Sequence, residues 1–145
     1  MPTYQVFVGR DRLTKEGKQA VATAITEGHV AVTGAPVYYV QVIIHEVPED
    51  NLFIGGKPFS GHMWLRGDVR CRTPEVDGRL MTELVKRVSR ASGFDRAFIW
   101  CDLCGIEPTD IMKFEAVFPP AGEEKAWYEG LPDRAKKAIE KIRGE

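Results

Sequence analysis

The 145-residue chain has an ordinary globular composition, with 43% hydrophobic and 28% charged residues. With a formal net charge of −1, the chain lacks the excess of basic residues that is typical of a nucleic-acid-binding protein. No apolar run approaches the roughly 18 residues that cross a bilayer. The start of the chain carries no signal-peptide pattern, and three cysteines are an odd number. These features favour a reduced cytoplasmic protein with neither a nucleic-acid nor a membrane partner.

Residues 1–60 predict a first β-α-β unit. A β-branched and aromatic run at residues 4–8 predicts a strand. Thr14 and Gly34 are suited to cap the two ends of a helix with one apolar stripe. A second strand is predicted over residues 38–45. The segment 48–60 contains a Gly-Gly pair and two prolines, which predicts a loop or a short hairpin.

Residues 61–120 repeat the same order of elements. A strand is predicted over residues 62–67, and Thr73 followed by Pro74 begins a second amphipathic helix. That helix ends at Gly93, and an apolar strand follows over residues 97–103. The predicted landmarks of the two units are 59 residues apart, so the pattern is duplicated although residue identity between the units is poor.

The two units predict a single α+β domain, residues 1–145, with a four-stranded sheet and both helices on one face. Residues 121–145 are expected to form a helical tail with a break at residues 130–132. Helices on one face leave the other face of the sheet uncovered, which favours oligomerisation. The side chains expected on that uncovered face are Val6, Val8, Val40, Val42 and Ile44.

Pro2 is the first candidate catalytic residue. Initiator methionine is usually removed before a small residue, and removal of Met1 would leave Pro2 with a free secondary amine. An α-amino group titrates near about pH 8, and nearby cations or burial lower its pKa. Such an amine can act as a general base near neutral pH. With Met1 attached, the Pro2 nitrogen is an inert amide, and many proteins begin Met-Pro without consequence.

Three further residues are candidates on weaker grounds. His29 lies on the apolar stripe of the first helix, where a lone histidine is either a catalyst or a satisfied core residue. Arg70 and Arg72 flank one residue before the second helix. Alternate residues of an extended segment point the same way, so this pair could hold one carboxylate. The alternative is a solvated basic loop.

Cys101 and Cys104 form a C-x-x-C sequence within a predicted strand. Residues three apart on a strand face opposite sides, and His45 and His62 do not supply a second ligand pair at metal-site spacing. A thiol or metal site at Cys101 and Cys104 therefore stays a third alternative, whereas the leading expectation includes no metal.

Several sequence features together resemble the cis-3-chloroacrylic acid dehalogenase group of the tautomerase superfamily. They are the Met-Pro start, the segment 11–14 that opens a long helix, His29 near the end of that helix, Gln41-Val42, the segment 51–56, the arginine pair and Ile99-Trp100. The resemblance covers nearly the whole chain. It implies a duplicated β-α-β fold, a homotrimer, no cofactor, and an amino-terminal proline acting on small carboxylates.

The resemblance also implies roles for individual residues. Pro2 would be the proline base or acid, His29 would contact the substrate, and Arg70 would bind its carboxylate. Arg72 takes the place of a second arginine, although the family spacing is one residue longer.

The sequence departs from the dehalogenases where they place a tyrosine and a glutamate that activate water. Asp102 stands at the tyrosine position, and Glu115 is the nearest match to the glutamate but one position out of register. Efficient hydrolytic dehalogenation is therefore not expected. Proton transfer between enol and keto forms does not need these two residues and is still expected. A weak hydratase or dehalogenase activity, with Asp102 or Glu115 positioning water, is a candidate additional activity. The alternative is a catalytically silent homotrimeric binding protein on the same scaffold.

Overall fold

The structure is a computed structural model that describes residues 2–144, so Met1 and Glu145 lie outside the described residues. The main elements are β1 (Thr3–Gly9), α1 (Lys15–Thr33), β2 (Gln41–Val47), β3 (Phe53–Ile54), β4 (Lys57–Pro58), β5 (Met63–Arg70), α2 (Pro74–Ser92), β6 (Ile99–Ile106), β7 (Met112–Lys113), β8 (Ala116–Val117), α3 (Glu124–Glu129) and α4 (Asp133–Arg143). None of the helices within residues 2–144 is long and apolar enough to cross a membrane.

The four long strands form one mixed sheet in the order β2-β1-β5-β6. β1 is parallel to β2, and β5 is parallel to β6, as expected for two β-α-β units. The units meet at β1 and β5, which are antiparallel. This topology confirms the α+β architecture predicted from the sequence.

The helix ends follow the capping residues of the sequence. The Thr14 side chain accepts a hydrogen bond of 3.0 Å from the Gly17 backbone N–H, and Gly34 takes a left-handed conformation. Thr73 and Gly93 cap α2 in the same way. A threonine oxygen caps the first turn of each helix, and a glycine without Cβ takes the left-handed conformation at its end. Both effects depend on the residue type alone, so the helix boundaries could be predicted from the sequence.

The main core lies between the sheet and the two helices. Its buried residues include Tyr4, Val6 and Val8 of β1, together with Ile25 of α1 and Leu84 of α2. The partly buried Val40, Val42 and Ile44 pack against the same core. The prediction that these valines and Ile44 form the uncovered face is therefore wrong. The even positions of β1 and β2 face the helices, because that face carries the more continuous apolar set.

The uncovered face is formed instead by alternate positions that mix aromatic, polar and charged side chains. The Phe7 ring stacks on the His45 ring at 4.4 Å and on the Trp64 ring at 5.0 Å. Trp100 on β6 is 46% exposed, and Ile43 on β2 is 38% exposed. We call this surface, formed by Phe7, Ile43, His45, Trp64, Trp100 and Asp102, the open face.

The strand boundaries differ from the sequence prediction by one to three residues. β2 begins at Gln41 rather than at residue 38, because Val37–Tyr39 form a short 3-10 helix. The Tyr39 ring is buried in a second cluster beside the sheet rather than in a strand. A strand propensity read from Tyr and Val alone cannot detect this local turn.

The 59-residue repeat extends further than the sequence suggested. The hairpin β3–β4 has Gly-Gly at its turn. A second hairpin, β7–β8, takes the equivalent place in the second unit and was not predicted. The turn residues Phe114 and Glu115 take positive φ angles of 53° and 65°, where the first hairpin has Gly55 and Gly56 at 58° and 76°. Because the second turn lacks glycine, its sequence carries no hairpin signal.

The tail folds back onto the second hairpin as two helices separated at the predicted break. Leu131, Ala135 and Ile139 are buried together, and Phe114 and Trp127 pack against them. Phe118 and Tyr39 form the adjoining cluster. The tail therefore covers one end of the sheet, the end at which β1 begins and β5 finishes.

Candidate active site

Pro2 and Arg70 lie at the same end of the sheet. Pro2 is buried and precedes β1, and its carbonyl accepts a hydrogen bond of 3.0 Å from the Gln41 backbone N–H. Thr3 is paired with Asp68, so the antiparallel register brings the start of β1 beside the last residues of β5. Two residues far apart in sequence are thus neighbours through the sheet topology.

His29 is a fully buried residue near the end of α1. Its Nδ1 atom lies 2.8 Å from the Tyr4 hydroxyl. Its Nε2 atom is buried and has no hydrogen-bond partner among the described residues. Burial, followed by the positive charges of Arg72 and Arg70, lowers the pKa of His29 to about 3. The imidazole is therefore neutral at physiological pH, with one buried nitrogen free for another partner.

Arg70 is buried and already engaged within its own chain. Its Nη1 atom donates to the Pro119 carbonyl at 2.8 Å, and its Nη2 atom donates to Glu124 at 2.7 Å. The guanidinium lies over the Phe118 ring, 5.7 Å from its centroid. Its Nε atom is buried and has no hydrogen-bond partner in the part of the chain that the structure describes. Arg70 thus connects the end of β5 to the tail.

Arg72 is half-buried and carries a charge that is not neutralised by a close carboxylate. Its Nη1 atom donates to the Arg70 carbonyl at 3.0 Å, and within residues 2–144 it forms no ion pair. Burial, and then the charge of Arg70, lowers the pKa of Arg72. After burial, which raises the pKa of Tyr4 and lowers that of His29, the positive charge of Arg72 lowers both pKa values. Arg72 therefore lies beside Arg70 at the end of β5, and the substrate roles of the two arginines and of His29 stay predictions.

Lys113 joins this end of the sheet from the β7–β8 hairpin. Its ammonium donates to the Thr3 hydroxyl at 3.3 Å, next to Pro2 in the chain. Burial lowers the pKa of Lys113, and no carboxylate forms an ion pair with it in the described part of the chain. The sequence gives no signal for this residue, because only the unpredicted hairpin β7–β8 brings it to β1.

The two carboxylates proposed for water activation lie elsewhere in the chain. Asp102 is exposed on the open face, and its Oδ2 atom accepts a hydrogen bond of 2.7 Å from the Trp64 indole. Glu115 lies at the tip of the β7–β8 hairpin and forms an ion pair with Arg134. Within one chain, neither side chain contacts Pro2, His29 or the arginines in the contacts of residues 2–144.

The cysteines show no metal or disulfide arrangement within the described residues. All three are free, and no group of three His, Cys, Asp or Glu side chains in residues 2–144 could hold a metal ion. Cys101 packs against the main core and Cys104 is exposed, as alternation along a strand requires. Burial, and then the charge of Asp102, raises the pKa of Cys101 to about 12. Its thiol is therefore protonated and weakly nucleophilic.

Tyr4 and Glu124 also belong to the site and were not identified from the sequence. In the sequence, Tyr4 is one of several aromatic and β-branched residues of the first strand. Glu124 is one of two adjacent glutamates in the tail. Tyr4 lies opposite Gly67 because of the register between β1 and β5. Glu124 reaches Arg70 because the tail returns to this end of the sheet.

Comparison with known proteins identifies the family. Residues 1–130 match the family Tautomerase_3, described as "Putative oxalocrotonate tautomerase enzyme". The chain belongs to this tautomerase family. It is also 39% identical over 56 residues to the 2-hydroxymuconate tautomerase of Comamonas testosteroni, a match that covers 39% of this chain and 87% of that protein. The matched length is about that of one β-α-β unit.

Solved structures agree with this assignment. The structure of N1, a member of the cis-3-chloroacrylic acid dehalogenase family, superposes with a TM-score of 0.89 at 25% identity, over 96% of this chain and 99% of that chain. A symmetric trimer of a fused 4-OT protein superposes with a TM-score of 0.71 at 23% identity, over 82% of this chain and 95% of that chain. The recognised superfamily and the dehalogenase-like group are therefore confirmed.

Proposed function

We propose that this chain is a tautomerase that transfers a proton on small enolisable or unsaturated carboxylates, with Pro2 as the proton carrier. The observation that carries the proposal is that three groups lie at one end of the sheet: Pro2, the Nε2 atom of His29, which has no partner within residues 2–144, and Arg72, which forms no ion pair in that range. A base, a hydrogen-bond donor and a cation are the groups that keto–enol conversion of a carboxylic acid requires.

The proposed reaction begins with the free secondary amine of Pro2, formed when Met1 is removed. An α-amino group has a pKa near about 8, and nearby cations lower it. Arg72 and Lys113 supply such cations at this end of the sheet. The amine accepts a proton from one position of the substrate, and the resulting ammonium returns a proton at another, so that no proton is gained or lost overall.

The substrate carboxylate is proposed to bind to Arg72 and Lys113 rather than to Arg70 alone. Arg70 donates from both terminal nitrogens to groups of its own tail, one of them a carboxylate. Its remaining Nε atom can still contribute one hydrogen bond. Arg72 and Lys113 have no carboxylate partner in the described residues, so an anion at this position would stabilise both.

A weak hydratase or dehalogenase activity is a second candidate, and it requires a carboxylate near the substrate to orient water. Asp102 and Glu115 lie away from Pro2 within one chain. Such an activity would therefore depend on Asp102 or Glu115 supplied by a neighbouring chain of the oligomer.

A homotrimer is proposed as the active assembly. The fused 4-OT proteins with this fold include symmetric and asymmetric trimers. The open face of this chain exposes apolar surface on Trp100 and Ile43, whose burial would favour association. The competing proposal is a silent homotrimeric binding protein, which would have the same assembly without activity.

The test is the conversion of phenylpyruvate or 2-hydroxymuconate from enol to keto form by protein whose free Pro2 has been verified by mass spectrometry. We expect activity in the processed protein. A variant that retains an extra residue before Pro2 should lose it, because the proline nitrogen is then an amide.

Pro2→Ala should reduce the rate about 100-fold or more, because a primary amine replaces the cyclic amine in a group that acts by proton transfer. Pro2 is buried, so the melting temperature of this variant must be compared with that of the wild type. Processed wild-type protein that is inactive on both substrates would favour the silent binding protein.

A further inference from the structure

The buried Tyr4–His29 pair sets the proton position on the His29 ring. Tyr4 and His29 are both fully buried, and their rings meet edge to face with centroids 5.7 Å apart. The Tyr4 hydroxyl lies 2.8 Å from Nδ1 of His29. Among the described residues the Tyr4 hydroxyl has no other hydrogen bond. The pair therefore connects β1 to α1 through a single buried hydrogen bond.

The strand opposite Tyr4 leaves room for its ring at this position. Gly67 is the residue paired with Tyr4 across the β1–β5 ladder. A Cβ atom built on Gly67 would lie 2.5 Å from the Tyr4 ring, which is closer than real atoms approach. The glycine therefore allows the tyrosine to keep the position from which its hydroxyl contacts His29.

The protonation of both groups is fixed by burial. Burial raises the pKa of Tyr4 far above its ordinary value, so the phenol keeps its proton. His29, with a pKa lowered to about 3, is a neutral ring with a single proton. Since the only hydrogen bond that the phenol makes within residues 2–144 is to Nδ1, its O–H donates there and Nδ1 is the acceptor. The single ring proton is then on Nε2.

We propose that Tyr4 is a positioning residue that holds His29 as the neutral tautomer with its proton on Nε2. Nε2 is the buried ring atom that has no partner in residues 2–144. It is therefore presented as a hydrogen-bond donor to an oxygen of the bound substrate, either carbonyl or enolate. His29 acts in this arrangement as a neutral donor and not as an imidazolium acid. The functional part of this inference rests on the proposed tautomerase activity, whereas the tautomer itself does not.

The first measurement is the tautomer of His29, observed by long-range ¹⁵N–¹H correlation in ¹⁵N-labelled protein at neutral pH. We expect an acceptor signal for Nδ1 and a protonated signal for Nε2 in the wild type. Tyr4→Phe removes only the hydroxyl, and we expect the two nitrogens to shift toward a mixture of tautomers. Tyr39→Phe is the matched control, because it removes another buried tyrosine hydroxyl and should leave the His29 signals unchanged.

The second measurement separates positioning from a general loss of structure. Tyr4→Phe should lower kcat about 10-fold with a smaller change in KM, and it should have no further effect in a His29→Ala background. A wild-type ring that carries its proton on Nδ1, or that is doubly protonated at neutral pH, would overturn the proposal. An unchanged tautomer in Tyr4→Phe would also overturn it. If the tautomer shifts as expected but processed wild-type protein is inactive on both substrates, the proposed activity fails and the role of Tyr4 in fixing the tautomer stands.

Discussion

Arg70 at the end of β5 and Glu124 at the start of α3 form a partly buried ion pair, with Nη2 and Oε1 2.7 Å apart. The arginine that the family resemblance assigns to the substrate carboxylate thus already holds a carboxylate of its own chain. The second oxygen of Glu124 accepts from the Gly122 backbone N–H at 2.9 Å. The pair fixes the tail against the sheet end that contains Pro2.

Glu124→Gln is expected to lower the free energy of unfolding by about 2 kcal/mol, because it leaves the buried Arg70 charge uncompensated. Urea unfolding measures this change. Glu123→Gln is the matched control, since Glu123 is an exposed neighbour whose side chain makes no capping hydrogen bond. Equal stability of both variants would contradict a structural role for the pair.

The same pair predicts a pH dependence of stability below about pH 4.5. Burial alone would raise the pKa of Glu124, but the hydrogen bond from Arg70 and those from backbone N–H groups lower it overall. A carboxyl with a lower pKa in the folded state stabilises the fold above its unfolded pKa and loses that contribution as the pH falls through its folded pKa. Glu124→Gln should flatten this part of the acid unfolding curve.

His29 predicts a second pH dependence of stability, over a window that extends to higher pH than that of Glu124. Its folded pKa is about 3, lowered by burial and then by Arg72, whereas an unfolded histidine titrates near about 6.5. The unfolded state therefore binds more protons between these values, and stability rises with pH across that window and is complete above it. His29→Gln should remove the slope, as measured by urea unfolding from pH 4 to 7. An assigned His29 resonance that titrates near about pH 6.5 in the native protein would contradict this.

Lys113→Met is expected to raise KM for a carboxylate substrate about 10-fold, because it removes a cation near Pro2 that has no carboxylate partner within residues 2–144. Lys57→Met is the matched control. Lys57 belongs to the β3–β4 hairpin at the opposite end of the sheet and is exposed. Steady-state kinetics on the same substrate should show no change for Lys57→Met, and an equal effect of both variants would exclude a specific role for Lys113.

The two hairpin turns predict that losing a glycine at a positive φ lowers stability and that gaining one does not. Gly56→Ala should destabilise the fold by about 1 kcal/mol, because its φ of 76° disfavours a side chain. Glu115→Gly at the equivalent position relieves a φ of 65° but loses the surface ion pair with Arg134. Since an exposed pair contributes about 0–1 kcal/mol, this variant should be neutral or slightly stabilising in thermal unfolding. A strongly destabilised Glu115→Gly would indicate that the ion pair outweighs the turn strain.

Ile43→Lys on the open face is expected to weaken the assembly. Light scattering of the wild type should give about three times the chain mass of 16.3 kDa. The variant should shift toward the monomer mass, because a charge would be buried in the interface. Ile142→Lys makes the same change on α4, where the side chain is 59% exposed, and should leave the mass unchanged. A wild-type monomer at micromolar concentration would contradict the proposed trimer.

The sequence by itself determined the two β-α-β units, the ends of both long helices and the break in the tail. These features depend on local chemistry, namely capping side chains, glycine at the left-handed position and the period of apolar residues. The Pro2, His29, Arg70 and Arg72 candidates were also reached from the sequence, because a resemblance supplies residue positions that spacing alone cannot. Their roles stay predictions.

The tertiary structure alone decided which face of the sheet is covered and which residues surround Pro2. The side-chain period of a strand does not say which of its two faces meets the helices, and Val6 and Val8 were therefore assigned to the wrong one. The partners that complete the site are more than 20 residues from each other in sequence. Tyr4 contacts His29 because α1 packs on β1. Lys113 contacts Thr3 because the two units pair antiparallel, and Glu124 contacts Arg70 because the tail returns to this end of the sheet.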